Sequence, residues 1–159
     1  HIPDVWQGRV TYYHGDIMAF EPTTSFDVIL CLGVLAHVPS VEATLHKIAT
    51  ILKPGGQCVV QFTDYSKWIA RLDAIYFRLR ERLASGYHYA PNRVRAAEVR
   101  QKLAQVGIVE KEQRRYSLLL PGMGKLPDSF LFRYQMATLQ IGFLSARGSE
   151  VILLAQKQS

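Results

Sequence analysis

A chain of 159 residues, 48% of them apolar and 20% charged, holds enough apolar mass for one domain with a real core and is too short for two. Its formal charge of +6 admits anionic partners, while the absence of any apolar run near the roughly 20 residues needed to cross a bilayer excludes a helical membrane span. His1-Ile2-Pro3-Asp4 has neither the basic nor the apolar part of a secretory signal, so a cytoplasmic protein is expected, and a start without Met points to processing or to an upstream segment.

Residues 9–13 (RVTYY) are short, β-prone and closed by His14-Gly15-Asp16, which predicts a strand with a turn and a carboxylate at its carboxyl end. Residues 26–32 run almost unbroken apolar after Asp27, the pattern of a strand covered on both faces of a parallel sheet. The link between the two is too short for a full helix.

From Ser40, an expected N-cap after Pro39, the residues Val41, Leu45, Ile48, Ala49 and Leu52 recur at helical spacing. Lys53-Pro54-Gly55-Gly56 ends that helix, the glycines being expected to supply the positive φ that turns the chain into a strand over residues 57–62. Strand, helix and strand joined in this way form a right-handed parallel crossover.

Residues 66–84 read as a long helix with Trp68, Leu72, Ile75, Tyr76 and Leu79 near one side, broken by residues 85–91. A further helix over residues 92–106 is expected to start at an Asn92 N-cap and stop at Gly107. Residues 108–120 look extended, 121–124 form a loop, 127–141 read as helical and 150–155 as a closing strand. The order is α/β throughout, without a repeat, a low-complexity tract or a linker.

Charge is unevenly placed. Lys67, Arg71, Arg78, Arg80, Arg82, Arg93, Arg95, Arg100 and Lys102 are opposed in their stretch only by Asp73, Glu81 and Glu98. Such a block attracts nucleic acid, anionic lipid or an acidic substrate, or is simply a solvated helix face. Cys31 and Cys58 fall inside core strands and are expected to be reduced and unreactive. The histidines show no metal-ligand spacing and neither Cys has a nearby partner, so no metal is expected.

Gly15-Asp16 after a strand, Phe26-Asp27-Val28-Ile29 opening the next, Val34-Leu35-Ala36-His37-Val38 at its exit and Leu52-Lys53-Pro54-Gly55-Gly56 before another strand resemble, in their order and spacing, the class I S-adenosylmethionine-dependent methyltransferases, in particular the small-molecule branch. The resemblance is strong over residues 9–62 and weaker beyond. It implies an α/β, Rossmann-like methyltransferase fold, a mostly parallel sheet of order 3-2-1-4-5-7-6 with an antiparallel last strand. Residues 9–13, 26–32 and 57–62, a strand within 108–120, and 150–155 would then be strands three to seven. The first two strands of the family's seven, with their glycine-rich motif, are missing, so the whole of residues 1–159 is expected to be one incomplete domain, a piece of a longer protein. Strands three and four are not neighbours in that sheet. Without the first two strands, residues 9–13 would lose their pairing partner and residues 26–32 would become an exposed apolar edge.

The same resemblance implies S-adenosylmethionine as cofactor. It gives Asp16 the position whose carboxylate accepts from the adenine amino group and Ile17 that of a backbone amide packed on the ring. Asp16 is equally an Asp that favours a turn after Gly15. Leu32 and Gly33 take the place where backbone passes the methionyl part, glycine permitting close approach. His37 lies where the family often has a preceding Glu, here Ala36, and is read evenly as a structural hydrogen-bonder or as a weak catalytic candidate. Asp27, Pro54, Gly55 and Gly56 are assigned to architecture.

Residues 64–91 and 117–149 are expected to be caps over the methyl acceptor. Tyr65, Tyr87, His88 and Tyr89 are the candidate acceptor contacts, an aromatic set with basic neighbours suited to a flat, lipophilic or anionic acceptor; Trp68 is expected to pack on the sheet. Methyl transfer from a sulfonium is an in-line displacement, so positioning the acceptor and excluding water dominate, and no base is identifiable. The expected function is methyl transfer to a small-molecule acceptor. Two rivals are a catalytically inactive binding or assembly module and an RNA-directed methyltransferase. The acids interrupting the basic block and the lack of glycine-rich stacking motifs count against nucleic acid. Weak contact with a membrane surface, and dimerisation if the chain is truly truncated, complete the expected partners.

Overall fold

The computed structural model describes residues 10–83 and 91–159. Its elements are a 3-10 turn (Ile17–Ala19), β1 (Phe26–Leu32), α1 (Val41–Ile51), β2 (Leu52–Thr63), α2 (Trp68–Leu83), α3 (Ala96–Gln105), β3 (Ile108–Tyr116), a second 3-10 turn (Met123–Lys125), α4 (Asp128–Gln140), α5 (Gly142–Ser145) and β4 (Glu150–Lys157).

The sheet runs β1-β2-β4-β3. β1 and β2 are parallel, and β4 is antiparallel to both β2 and β3. β1, β2 and β3 therefore point one way, and their carboxyl ends share an edge with the first residue of β4. This is the 4-5-7-6 part of the expected order, with the last strand reversed.

Ser40 caps α1 as expected, its Oγ accepting from the Ala43 N–H at 3.2 Å. At the other end of α1, Lys157 Nζ donates to Ala49 O at 2.7 Å and Leu52 O at 2.8 Å, placing a cation on the carbonyl end of the helix. The chain enters β2 earlier than residue 57: Leu52 pairs with Phe26, and the register resumes at Val28 with Gln57 across a bulge. Of the two glycines there, only Gly55 has positive φ, at 75°. Gly56 serves close approach instead, since a Cβ would lie 2.9 Å from Lys53 O and 3.1 Å from Asp27 O.

One face of the sheet carries the core. Cys31, Cys58, Val60, Phe62, Val151, Leu153 and Ala155 pack against Leu45, Ile48, Val99 and Leu103 of α1 and α3. Cys31 and Cys58 are free and buried, and burial pushes each thiol up to about 11, where little reactive thiolate exists. On the opposite face Val28, Leu30 and Leu32 of edge strand β1 are exposed, Leu30 by 62%, which is the bare apolar edge the strand order implies.

Several expectations are corrected. Residues 10–13 form no strand, because no strand lies beside them to complete a ladder; they lead into a 3-10 turn that Lys47 holds through Glu21 at 2.7 Å. Asn92 is not a helix cap. Its Nδ2 donates to Leu35 O and Val38 O, clamping the loop after β1, while α3 begins four residues later. The extended run from residue 108 ends at Tyr116. Over residues 68–79 of α2 the buried residues are Ile69 and Ala70, so Trp68 (52% exposed), Leu72, Ile75 and Leu79 form an apolar stripe facing away from the core, and Trp68 does not pack on the sheet. No helix among the described residues is long and apolar enough to cross a membrane.

Candidate functional site

The edge where β1, β2 and β3 end and β4 begins is where ligands of α/β sheets collect. There β1 exits through Leu32 into Gly33, whose φ of 69° is left-handed and whose N–H donates to Gln61 O at 3.3 Å. Both residues are exposed, and among the described residues beyond its chain neighbours the only atom within 4 Å of a Cβ placed on Gly33 is Gln61 Oε1 at 3.6 Å. The backbone here is open to close approach.

The segment that carries Asp16 packs elsewhere along the unit, with Phe20 stacked 6.3 Å from Phe26 at the start of β1 and Glu21 paired with Lys47 of α1. Asp16 is exposed at the head of the 3-10 turn, with Oδ1 accepting from the Met18 N–H at 2.9 Å, while among the described residues no donor reaches Oδ2. Ile17 beside it is half-buried.

Next to Gly33, Gln61 opens a polar cluster across β2, β3 and β4. Gln61 Nε2 and Thr63 Oγ1 donate to the two carboxylate oxygens of Glu150, each at 2.6 Å. Glu150 opens β4 and so sits at this edge because β4 runs in reverse. Its charge reaches two neighbours: Asp73 on α2 is raised above the usual carboxylate range, first by burial and then by Glu150, and Tyr116 is raised by the same two causes against a hydrogen bond with Gln61.

Of these groups Thr63, Asp73 and Glu150 border a cavity of about 710 Å³ whose wall also includes Tyr65, Phe77 and Arg93. Two carboxylates, two arginines and hydroxyl groups set among apolar and aromatic surface suit a small organic molecule with polar groups to present. A second recess of about 340 Å³ shares Tyr65, Ala74, Arg78 and Arg93 with the first.

The cavity is anchored from beneath by Asp64, a fully buried carboxylate directly after β2. Burial alone would push it up, but hydrogen bonds from Ser66, Arg115 and the Ala96 N–H outweigh this and hold it below the usual range. Asp64 Oδ1 accepts from Ser66 N at 3.0 Å and from Ala96 N at 3.2 Å, so one oxygen leads the chain toward α2 and caps α3 from a distance.

Of the residues singled out from sequence, Tyr65 lines both recesses, while Leu32 and Gly33 stand at the strand exit. His37 is exposed in the turn after β1 and is not part of the cavity wall. Tyr87, His88 and Tyr89 lie outside the described residues. Gln61, Thr63, Asp73, Tyr116 and Glu150 escaped the sequence reading. The detectable signal was topological: a reversed last strand brings its first residue to the ligand edge. Among the described residues no three or more His, Cys, Asp or Glu side chains gather as a metal site.

Comparison with known proteins bears on this geometry. A family model described as a methyltransferase domain matches residues 6–107. The ubiquinone biosynthesis O-methyltransferase of Stutzerimonas stutzeri is 45% identical over 42 residues, 26% of this chain and 18% of that protein. A SAM-dependent methyltransferase from Thermotoga maritima, described as a possible histamine N-methyltransferase, superposes with a TM-score of 0.60 at 16% identity, over 91% of this chain and 62% of its own. The magnesium protoporphyrin IX methyltransferase of Synechocystis, solved with bound SAH, superposes with a TM-score of 0.54 at 14% identity, over 91% of this chain and 49% of its own. The chain thus spans less than two thirds of these relatives.

Proposed function

The chain belongs to the methyltransferase-domain family, and from that premise we propose that it forms the acceptor side and part of the cofactor side of an S-adenosylmethionine-dependent methyltransferase acting on a small molecule that offers a hydroxyl. The observation that carries this reading is the adjacency of Gly33, left-handed at the end of β1, to Gln61, which binds Glu150, itself with Thr63 on the cavity wall. The local likeness to O-methyltransferases supports a hydroxyl acceptor.

In this reading Asp16 and Ile17 hold the adenine, and the backbone of Leu32 and Gly33 runs past the methionyl part. Bound there, the cofactor supplies a methyl group on a sulfonium. The chain's own residues supply position. Tyr65 and Phe77 offer aromatic surface to the acceptor, and residues 64–83 and 117–149 act as caps that exclude water. Asp73, with its carboxyl raised by burial and by Glu150, accepts the hydroxyl proton or orients the hydroxyl. Glu150 itself is held by Gln61 and Thr63, one donor on each carboxylate oxygen, and so is fixed in place beside Asp73.

The test is calorimetry with S-adenosylhomocysteine on the full-length protein and its Asp16→Ala variant. Binding that weakens about tenfold or more in the variant is expected for loss of a charge-assisted hydrogen bond. Absent binding to the full-length protein would remove the enzyme reading, and unchanged affinity in the variant would remove the adenine role of Asp16.

A further inference from the structure

The recess beside the acceptor cavity is walled by Arg71, Arg78, Arg93 and Arg95 together with Tyr65, Ala74 and Ile75, and no carboxylate is among these residues. Two different backbones converge to make it. Arg71 and Arg78 are seven residues apart on α2, two turns, and so share one face of the helix. Arg93 and Arg95 alternate along the extended segment before α3, where a two-residue period returns both to one side. The Tyr65 N–H donates to Val94 O at 3.0 Å and locks that segment against the exit of β2.

Two of the guanidinium groups are oriented by Tyr65. Arg71 Nε donates to Tyr65 O at 3.3 Å, and the Arg93 guanidinium lies over the Tyr65 ring, 5.8 Å from its centroid. Among the described residues no carboxylate lies within ion-pairing distance of Arg71, Arg78 or Arg93, whereas Arg95 has Glu98 at 3.9 Å. A solvated helix face scatters its cations and intersperses acids. Here four cations instead enclose one recess, which opens into the acceptor cavity through Tyr65, Ala74, Arg78 and Arg93.

We propose that this recess is an anion subsite that holds a carboxylate or phosphate group of the methyl acceptor. This deepens the function proposed above and rests on it. The cleft then has a charge asymmetry: Arg71, Arg78, Arg93 and Arg95 wall the recess, whereas Asp73 and Glu150 line only the larger cavity. An acceptor carrying an anionic group enters in one orientation, because reversing it would set like charges against Glu150. The planar, always charged guanidinium suits bidentate binding of either anion. Positioning, which dominates methyl transfer, is thereby assigned to a charge remote from the reacting atom.

The experiment is calorimetry on the full-length protein with benzoate, inorganic phosphate and neutral benzyl alcohol, repeated for Arg78→Gln and Arg93→Gln, with S-adenosylhomocysteine titrated into each. Expected is binding of at least one anion that falls about tenfold or more in both variants and with added salt, with S-adenosylhomocysteine affinity unchanged. Arg78→Gln changes an exposed side chain and guards against a folding defect in the second variant. The proposal is overturned if neither anion binds, if the variants bind as tightly as the parent, or if S-adenosylhomocysteine competes with the anion. It is equally overturned if only phosphatidylglycerol vesicles are retained, which would give the arginines to a membrane surface. Failure of S-adenosylhomocysteine to bind while an anion still does would strike the methyltransferase reading and leave the subsite standing.

Discussion

Arg115 Nη2 donates to Asp64 Oδ2 at 2.7 Å, joining β3 to the exit of β2 through a carboxylate with no exposed surface. Because the same carboxylate accepts from Ser66 and Ala96, the pair fixes the chain leading to α2 and the start of α3 together, and with them the segments that line the cavity beside β2. Replacing Arg115 by Met leaves a buried charge without its counter-ion, an error that costs about 3–5 kcal/mol in general. The two backbone donors that remain place the expected loss near the lower end of that range, read from urea unfolding at pH 7. The folded carboxyl of Asp64 is lowered, so its contribution is present above the unfolded carboxylate value and is lost as pH falls through the depressed folded value. The parent protein should therefore keep this increment further into acid than Arg115→Met. Identical acid limbs for the two proteins would refute the role given to the pair.

Glu150 makes the opposite prediction for Asp73. Burial is the first cause of the raised Asp73 carboxyl and the Glu150 charge the second, so Glu150→Gln removes only the second. Asp73 should then titrate lower than in the parent yet still above an ordinary carboxylate, followed by carbon-13 NMR of the labelled carboxyl. Tyr116 should move down with it. A raised carboxyl contributes stability below its unfolded value and loses it as pH rises through the folded value, so relieving Asp73 acts in the stabilising direction around neutrality, against the hydrogen bond from Gln61 or Thr63 that the amide no longer accepts. An unmoved Asp73 resonance would disconnect the two groups.

The β1-α1-β2 unit was legible because local signals agreed with tertiary placement: an apolar run, Ser40 at the head of α1 and a glycine turn all said the same thing. Glu150 was not legible as a site residue, because its role comes from the reversal of β4, which no local pattern in residues 150–157 encodes. Asn92 misled for a related reason. An Asn before a helical run is a good cap by composition, but here a distant carboxylate, Asp64, supplies that bond and frees Asn92 to clamp the loop after β1. Residues 10–13 have strand propensity and no neighbouring strand, and propensity without a partner does not make a ladder.

The bare face of β1 predicts how the 159-residue chain behaves when prepared alone. Val28, Leu30 and Leu32 lie on one side of an edge strand, exposed by 56%, 62% and 56%, beside a row of unpaired backbone groups. Such an edge templates association. Sedimentation velocity should show self-association that rises with concentration, and Leu30→Lys should shift the chain toward monomer. A monodisperse parent chain at high concentration would contradict this.

Gly33 and Gly55 offer a matched pair for testing the cofactor side. Both are left-handed, with φ of 69° and 75°, so an alanine at either position meets the same backbone penalty of roughly 1–2 kcal/mol. Among the described residues neither is crowded: a Cβ on Gly55 meets nothing within 4 Å, and one on Gly33 meets only Gln61 Oε1. They differ in location, for Gly55 turns the chain at the start of β2 while Gly33 ends β1 at the ligand edge. In the full-length protein, Gly33→Ala and Gly55→Ala should therefore lose similar stability in urea. Only Gly33→Ala should weaken S-adenosylhomocysteine binding, because its methyl group would occupy the space through which the methionyl part is proposed to pass. Equal affinities in the two variants would sever Gly33 from the cofactor, and a much larger stability loss at Gly33 would make its role structural.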